Sequence, residues 1–165
     1  MTTTRGALAA LGLGFAAGAA GTLAMTATQE AAGWLRRGSS ATAETLRQPR
    51  TWAEAPAPAQ VAKRALGRRV TKRHAPLLTN VGHWSYGLAL GGAYGLVQSR
   101  VRLHPLAHGV IFGAAVWGLQ YAMLSPLGIS DPPWRQPTTT LGIDIGHHLA
   151  YGFATAGVYE ALAGR

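Results

Sequence analysis

The sequence predicts an all-α fold: an integral membrane four-helix bundle with a long basic loop between helices 1 and 2. Three observations predict it. Only 13% of residues are charged, while 48% are hydrophobic. The charge is segregated, with ten of the fifteen Lys and Arg lying between Arg36 and Arg73. Outside that segment run four stretches of the roughly 20 mostly apolar residues that a helix needs to cross a bilayer. At 165 residues the chain is read as a single membrane domain, 1–165.

The first span covers about 6–29 and is uncharged over that range. A signal peptide flanked by Arg5 is the alternative, but the apolar region is long for one and no clean small-x-small site follows. The loop after it begins irregularly, since 39–58 is rich in Ala, Pro and Thr. From 60 to 73 the pattern changes. Val61, Ala65, Leu66 and Val70 recur at helical spacing among Lys63, Arg64, Arg68, Arg69, Lys72 and Arg73. That pattern predicts a basic amphipathic helix on anionic lipid headgroups, with a solvated linker helix as the alternative. The net charge of +9 is concentrated between two apolar segments, which fits a lipid surface and argues against nucleic acid.

The second, third and fourth spans cover about 76–98, 105–127 and 138–162. Pro76, Pro105 and Pro137 sit at or just before their starts, where the first turn lacks internal N–H partners. Ser125-Pro126-Leu127-Gly128 and Asp131-Pro132-Pro133 read as turns. Small residues recur at four-residue spacing: Gly14, Gly18 and Thr22, then Gly87, Gly91 and Gly95, then Gly109 and Gly113, then Gly152 and Ala156. Such rows let helix backbones approach closely in lipid.

Twelve residues occur twice without a gap. His83 to Tyr94 aligns on His148 to Tyr159 with six identities, including the His and both Tyr. Both copies run in the same direction, so His83 and His148 are expected at similar depth with their polar stripes facing each other. Intramembrane ionisable residues are site candidates by default. The candidate polar cluster is Glu30, His83, Tyr86, Asp144, His147, His148 and Tyr151. Three readings of it stand side by side. The imidazoles and phenols bridge helices while Asp144 favours its helix N-terminus. Or Glu30, His83, Asp144 and His148 form a proton or cation path. Or His83 and His148 ligate a haem, or join Asp144 around a metal. On the other side His104, His108 and Glu160 make a second, weaker cluster in which two His at i, i+4 could share a metal. No cofactor is required by either.

The chain has no cysteine, which removes thiolate chemistry and Cys-based zinc sites. It has no Ser/His/Asp set with recognisable spacing, no phosphate-binding Gly-Lys loop and no His-Glu-x-x-His. It is therefore read as a non-enzyme.

Positive-inside counting gives orientation. The long loop and the Arg135 loop together hold eleven basic residues, against Arg5, Arg100, Arg102 and Arg165 on the other side. The long loop is thus expected in the cytoplasm and both termini outside.

Gly18-Ala19-Ala20-Gly21-Thr22, His83-Trp84-Ser85-Tyr86-Gly87, Leu124-Ser125-Pro126-Leu127-Gly128 and His148-Leu149-Ala150-Tyr151-Gly152 resemble a family of small bacterial inner-membrane proteins typified by YagU. The resemblance covers the spans and omits the basic loop. It implies a multi-span protein of the bacterial inner membrane without an assigned activity, and termini facing the cytoplasm. The functional expectation is a structural or accessory membrane protein, perhaps a subunit of a larger assembly. A small proton or cation conductor is the alternative, and a bis-His haem or metal binder the second.

Overall fold

A computed structural model describes residues 2–38, 48–101 and 104–164. Among these the protein is all-helical, with no strand. Five α-helices follow in order: α1 (Thr2–Arg37), α2 (Ala57–Leu66), α3 (Ala75–Gln98), α4 (Pro105–Leu124) and α5 (Thr138–Leu162). Residues 39–47 of the expected irregular stretch lie outside the described residues, as do Arg102 and Arg165 of the charge count.

The bounds expected for the second and fourth spans match those of the helices α3 and α5, but neither is among the segments long and apolar enough to cross a membrane. The first does not stop at 29: α1 is one helix of 36 residues, about 54 Å long, and ends at Gly38 in the left-handed region (φ 61). The third stops at Leu124 instead of 127. Gly128 (φ 60) closes the turn there, donating to Ser125 O while Ile129 N donates to Leu124 O. The expected 60–73 helix is also shorter. It begins at Ala57 and breaks at Gly67 (φ 59), followed by 3-10 turns at Gly67–Arg69 and Lys72–His74. Two helical segments, Gly6–Arg36 and Pro105–Leu124, are long and apolar enough to cross a membrane. The polar residues that make α3 and α5 interesting, such as Asn80, His83, Asp144 and His148, also lower their hydropathy.

α1 packs against both α3 and α5, and α5 packs against α4. Each of these pairs is antiparallel: Gly14 lies by Gly91 and Gly18 by Gly87, Gly21 lies by Tyr151 and Thr155, and Gly109 lies by Phe153 while Gly113 meets His148. The ring of Tyr94 brings α3 to α4, with centroids 4.7 Å from Phe112 and 5.8 Å from His108. α2 lies across the start of α3, where Ala59 packs with Ala55 and Ala75.

The α1–α3 and α4–α5 contacts are backbone against backbone. A Cβ on Gly18 would stand 2.7 Å from Gly87 O and 2.8 Å from Gly91 Cα. A Cβ on Gly152 would stand 2.7 Å from Gly113 N. Main chain thus meets main chain at Gly14, Gly18 and Gly91 and at Gly113 and Gly152, while Gly87 also faces the Thr22 side chain and Gly109 the Phe153 ring. Other glycines take no part: Gly12 and Gly157 face open space.

Gly91→Leu is expected to force α1 and α3 apart, costing about 1–3 kcal/mol or more of overpacking strain. Gly12→Leu should leave stability near wild type. Thermal unfolding of the purified protein in detergent reads both; equal midpoints for the two variants would contradict this packing.

Candidate functional site

The rows of small residues hold the helices together away from the basic loop and end before the helix ends nearest that loop. There the helices diverge around a cavity of about 610 Å³. α1 lines it with Thr26, Gln29 and Glu30, α3 with Thr79, His83, Trp84 and Tyr86, α4 with Gln120, and α5 with Asp144 and His148. Pro56, Ala57, Pro58 and Val61 close one side from α2 and the residue before it. Five of the seven residues of the expected cluster thus share one cavity: Glu30, His83, Tyr86, Asp144 and His148. His147 and Tyr151 do not line it. His147 turns towards α1, its Nδ1 2.9 Å from Thr28 Oγ1. Tyr151 sits deeper, and its hydroxyl donates to Gly87 O at 2.6 Å.

Asp144 is the most elaborately held group. Its Oδ2 accepts from Trp117 Nε1 at 3.0 Å and from Tyr121 OH at 3.1 Å. Its Oδ1 lies 3.6 Å from His148 Nδ1. The expectation that this carboxylate serves its own helix N-terminus is therefore corrected: it is bound from α4. His148 is buried, with Nδ1 2.8 Å from Asp144 O and Nε2 3.2 Å from Gln120 Oε1. His83 Nε2 is 3.5 Å from Thr26 Oγ1. Axial ligation of a haem by His148 would require it to give up Gln120 or Asp144. Among the described residues no group of three or more His, Asp or Glu is arranged to hold a metal ion.

Sequence reasoning missed Trp117, Gln120 and Tyr121. Their spacing (i, i+3, i+4) puts all three on one face of an otherwise apolar helix, and that was the available signal. It also missed Thr79, which is 8% exposed and whose Oγ1 has no hydrogen-bond partner.

The two repeat copies meet as expected, with His83 and His148 on one cavity. Their bonding is one-sided. Tyr151 OH donates to Gly87 O and Tyr159 OH to Gly95 O at 3.2 Å. The matching hydroxyls of Tyr86 and Tyr94 are buried without a hydrogen-bond partner among the described residues. Beyond the cavity the interior is filled by rings. Phe112 lies 5.6 Å from Tyr151, and Tyr94 lies 5.6 Å from Tyr159.

The second cluster resolves differently from its expectation. His104 caps α4, its Nδ1 accepting from Leu106 N at 3.3 Å. His108 Nε2 is 3.2 Å from Val101 O, and Glu160 accepts from Gln98 Nε2 at 2.5 Å. Gln98 is fully buried, so the carboxylate's neighbour is an amide that sequence spacing did not suggest.

Of the six basic loop residues, Arg64, Arg68, Arg69, Lys72 and Arg73 are exposed. Lys63 is occupied locally, lying 5.3 Å from the Trp52 ring centroid and donating to Gly67 O at 2.7 Å. Lys72 donates to Arg50 O. The apolar side of α2 is divided: Ala59 and Val61 turn inward, while Ala65 and Leu66 are exposed.

In comparisons with known proteins, no family model, curated protein or solved structure matches this chain.

Removing a donor to Asp144 leaves a half-buried carboxylate short of a partner. Trp117→Phe and Tyr121→Phe are each expected to cost about 1–3 kcal/mol. Combined with Asp144→Asn, the losses should fall short of additive by at least about 0.5 kcal/mol. Denaturation of the singles and doubles measures this; strict additivity would mean the hydrogen bonds carry no energy.

Proposed function

We propose that this chain is a multi-pass protein of the bacterial cytoplasmic membrane, with α1, α3, α4 and α5 crossing the bilayer as one bundle. Its role is structural or accessory, as a non-enzymatic subunit of a larger membrane assembly. The observation that carries the membrane reading is the apolar surface that the long helices turn outward. The outward row of α3 is Leu77, Val81, Ser85, Ala89, Ala93 and Val97, all exposed. α4 turns Leu106, Val110, Ile111 and Leu119 outward. Among buried Ala, Tyr and other apolar residues, the interior also holds Thr22, Thr79, Gln98, His108, His148 and Thr155. Only 28% of the apolar window of α4 is buried, whereas the core helix of a water-soluble domain hides its apolar face. A surface of Leu, Val and Ala around an interior that also takes in several polar groups suits hydrocarbon, where polar groups must be satisfied internally.

The exposed arginines from Arg64 to Arg73 suit an anionic headgroup layer on the cytoplasmic side. The YagU-like resemblance agrees with a multi-span protein.

A second reading, a proton or cation conductor, is favoured by the gathering of Glu30, His83, Asp144 and His148 on one cavity. The aromatic filling beyond the cavity weighs against it. A conductor predicts pH-driven flux in proteoliposomes that Asp144→Asn removes; the accessory reading predicts flux no greater than from empty vesicles.

Having no native cysteine, the chain suits single-cysteine mapping. In intact membranes Ala89→Cys and Phe153→Cys should resist a membrane-impermeant maleimide from both sides. Arg68→Cys should react from the cytoplasmic side alone. Ready aqueous labelling at position 89 or 153 would sink the multi-pass reading.

A further inference from the structure

The cavity has a chemistry that the accessory reading does not use. It is acceptor-rich. Asp144 and Glu30 line it, together with Gln29, Asn80 and Gln120, and among its lining residues there is no Lys or Arg. Asp144 presents a carboxyl group held in a fixed position. Two neutral donors hold Oδ2, and the side chain keeps 24% of its surface accessible. The hydroxyls of Thr79 and Tyr86, both lining residues, are buried and have no hydrogen-bond partner among the described residues. A pocket that presents a carboxylate and side-chain amides suits a polar guest. The rest of the wall is apolar or aromatic, from Met25, Val61, Trp84, Met123 and Leu124.

The geometry points to this cavity as a binding site for a small organic amine. The ammonium sits at the accessible part of the Asp144 carboxylate, and its hydrocarbon body lies against Met25, Met123 and Trp84. The volume of about 610 Å³ falls within the usual range for small-molecule pockets. His83 and His148 line the wall, but no Lys or Arg among the lining residues offers a permanent cation for an anion to pair with. A bare divalent metal fits less well, since no three of the described His, Asp and Glu converge on a point. Val61 lines the cavity from α2, outside the long helices. The inference stands on the cavity and does not require that the helices cross a membrane.

The test uses the full chain in nanodiscs of neutral lipid, with 2-phenylethylamine as probe and 2-phenylethanol as its uncharged match. Saturation-transfer NMR or calorimetry reads the affinity. The amine should bind at least tenfold more tightly than the alcohol. Asp144→Asn should remove that preference while leaving the alcohol unchanged. Val61→Trp, which fills the cavity from α2 and spares the long-helix packing, should weaken amine binding at least tenfold. No saturable amine binding, equal affinity for amine and alcohol, or a signal matched by empty nanodiscs would overturn the proposal. So would amine affinity unchanged in Val61→Trp, a result that stands even if Asp144→Asn fails to fold.

Discussion

The approach of bare main chain to main chain at Gly18–Gly87–Gly91 and at Gly113–Gly152 governs everything else in this molecule. At these crossings no side chain separates the helices. Dispersion between close backbones, together with Cα–H to carbonyl contacts, replaces the apolar side-chain burial that organises a water-soluble core. The crossings set the distance at which the other residues meet. Tyr151 reaches Gly87 O, and Tyr159 reaches Gly95 O, because α1 has already drawn α3 and α5 to its two sides. The cavity opens where these rows end.

The polar groups follow from that frame. Thr22 donates to Gly18 O and Thr26 to Thr22 O, so their hydroxyls are answered within α1 and the helix surface stays smooth. Asp144 cannot be answered locally and is bound across a helix interface by Trp117 and Tyr121. Long-range bonds of this kind order the α4–α5 pair in rotation, as the glycines order it in distance.

Much of this was legible in the sequence. Helix positions came from uncharged stretches and from prolines at their starts, and α3 and α5 fell within a residue of the expectation. The glycine rows identified the contact faces, because four-residue spacing can serve only one face of a helix. The repeat put His83 and His148 at one level. What stayed hidden depended on the partner helix. Nothing near Asp144 in the sequence reveals Trp117, and nothing near Glu160 reveals Gln98. The break at Gly67 was hidden for another reason: apolar spacing continued through it to Val70, while the left-handed backbone of a single glycine ended the helix. The end of α1 was masked likewise, since Trp34 and Leu35 lie beyond the polar Gln29 and Glu30 that looked like a boundary.

The central place of α1 bears on how the protein is assembled during synthesis. α1 is made first, yet its partners are α3 and α5, and α5 begins only at Thr138. At roughly 5–20 residues per second, about 100 residues of chain separate α1 from its second partner, a delay of several seconds. The first helix therefore waits with Gly21 and its neighbours uncovered, holding only α3, until the last helix arrives with α4 already beside it. Two antiparallel hairpins then join through a single helix face. The nascent chain is most open to capture by another protein, or by a second copy of itself, during that interval.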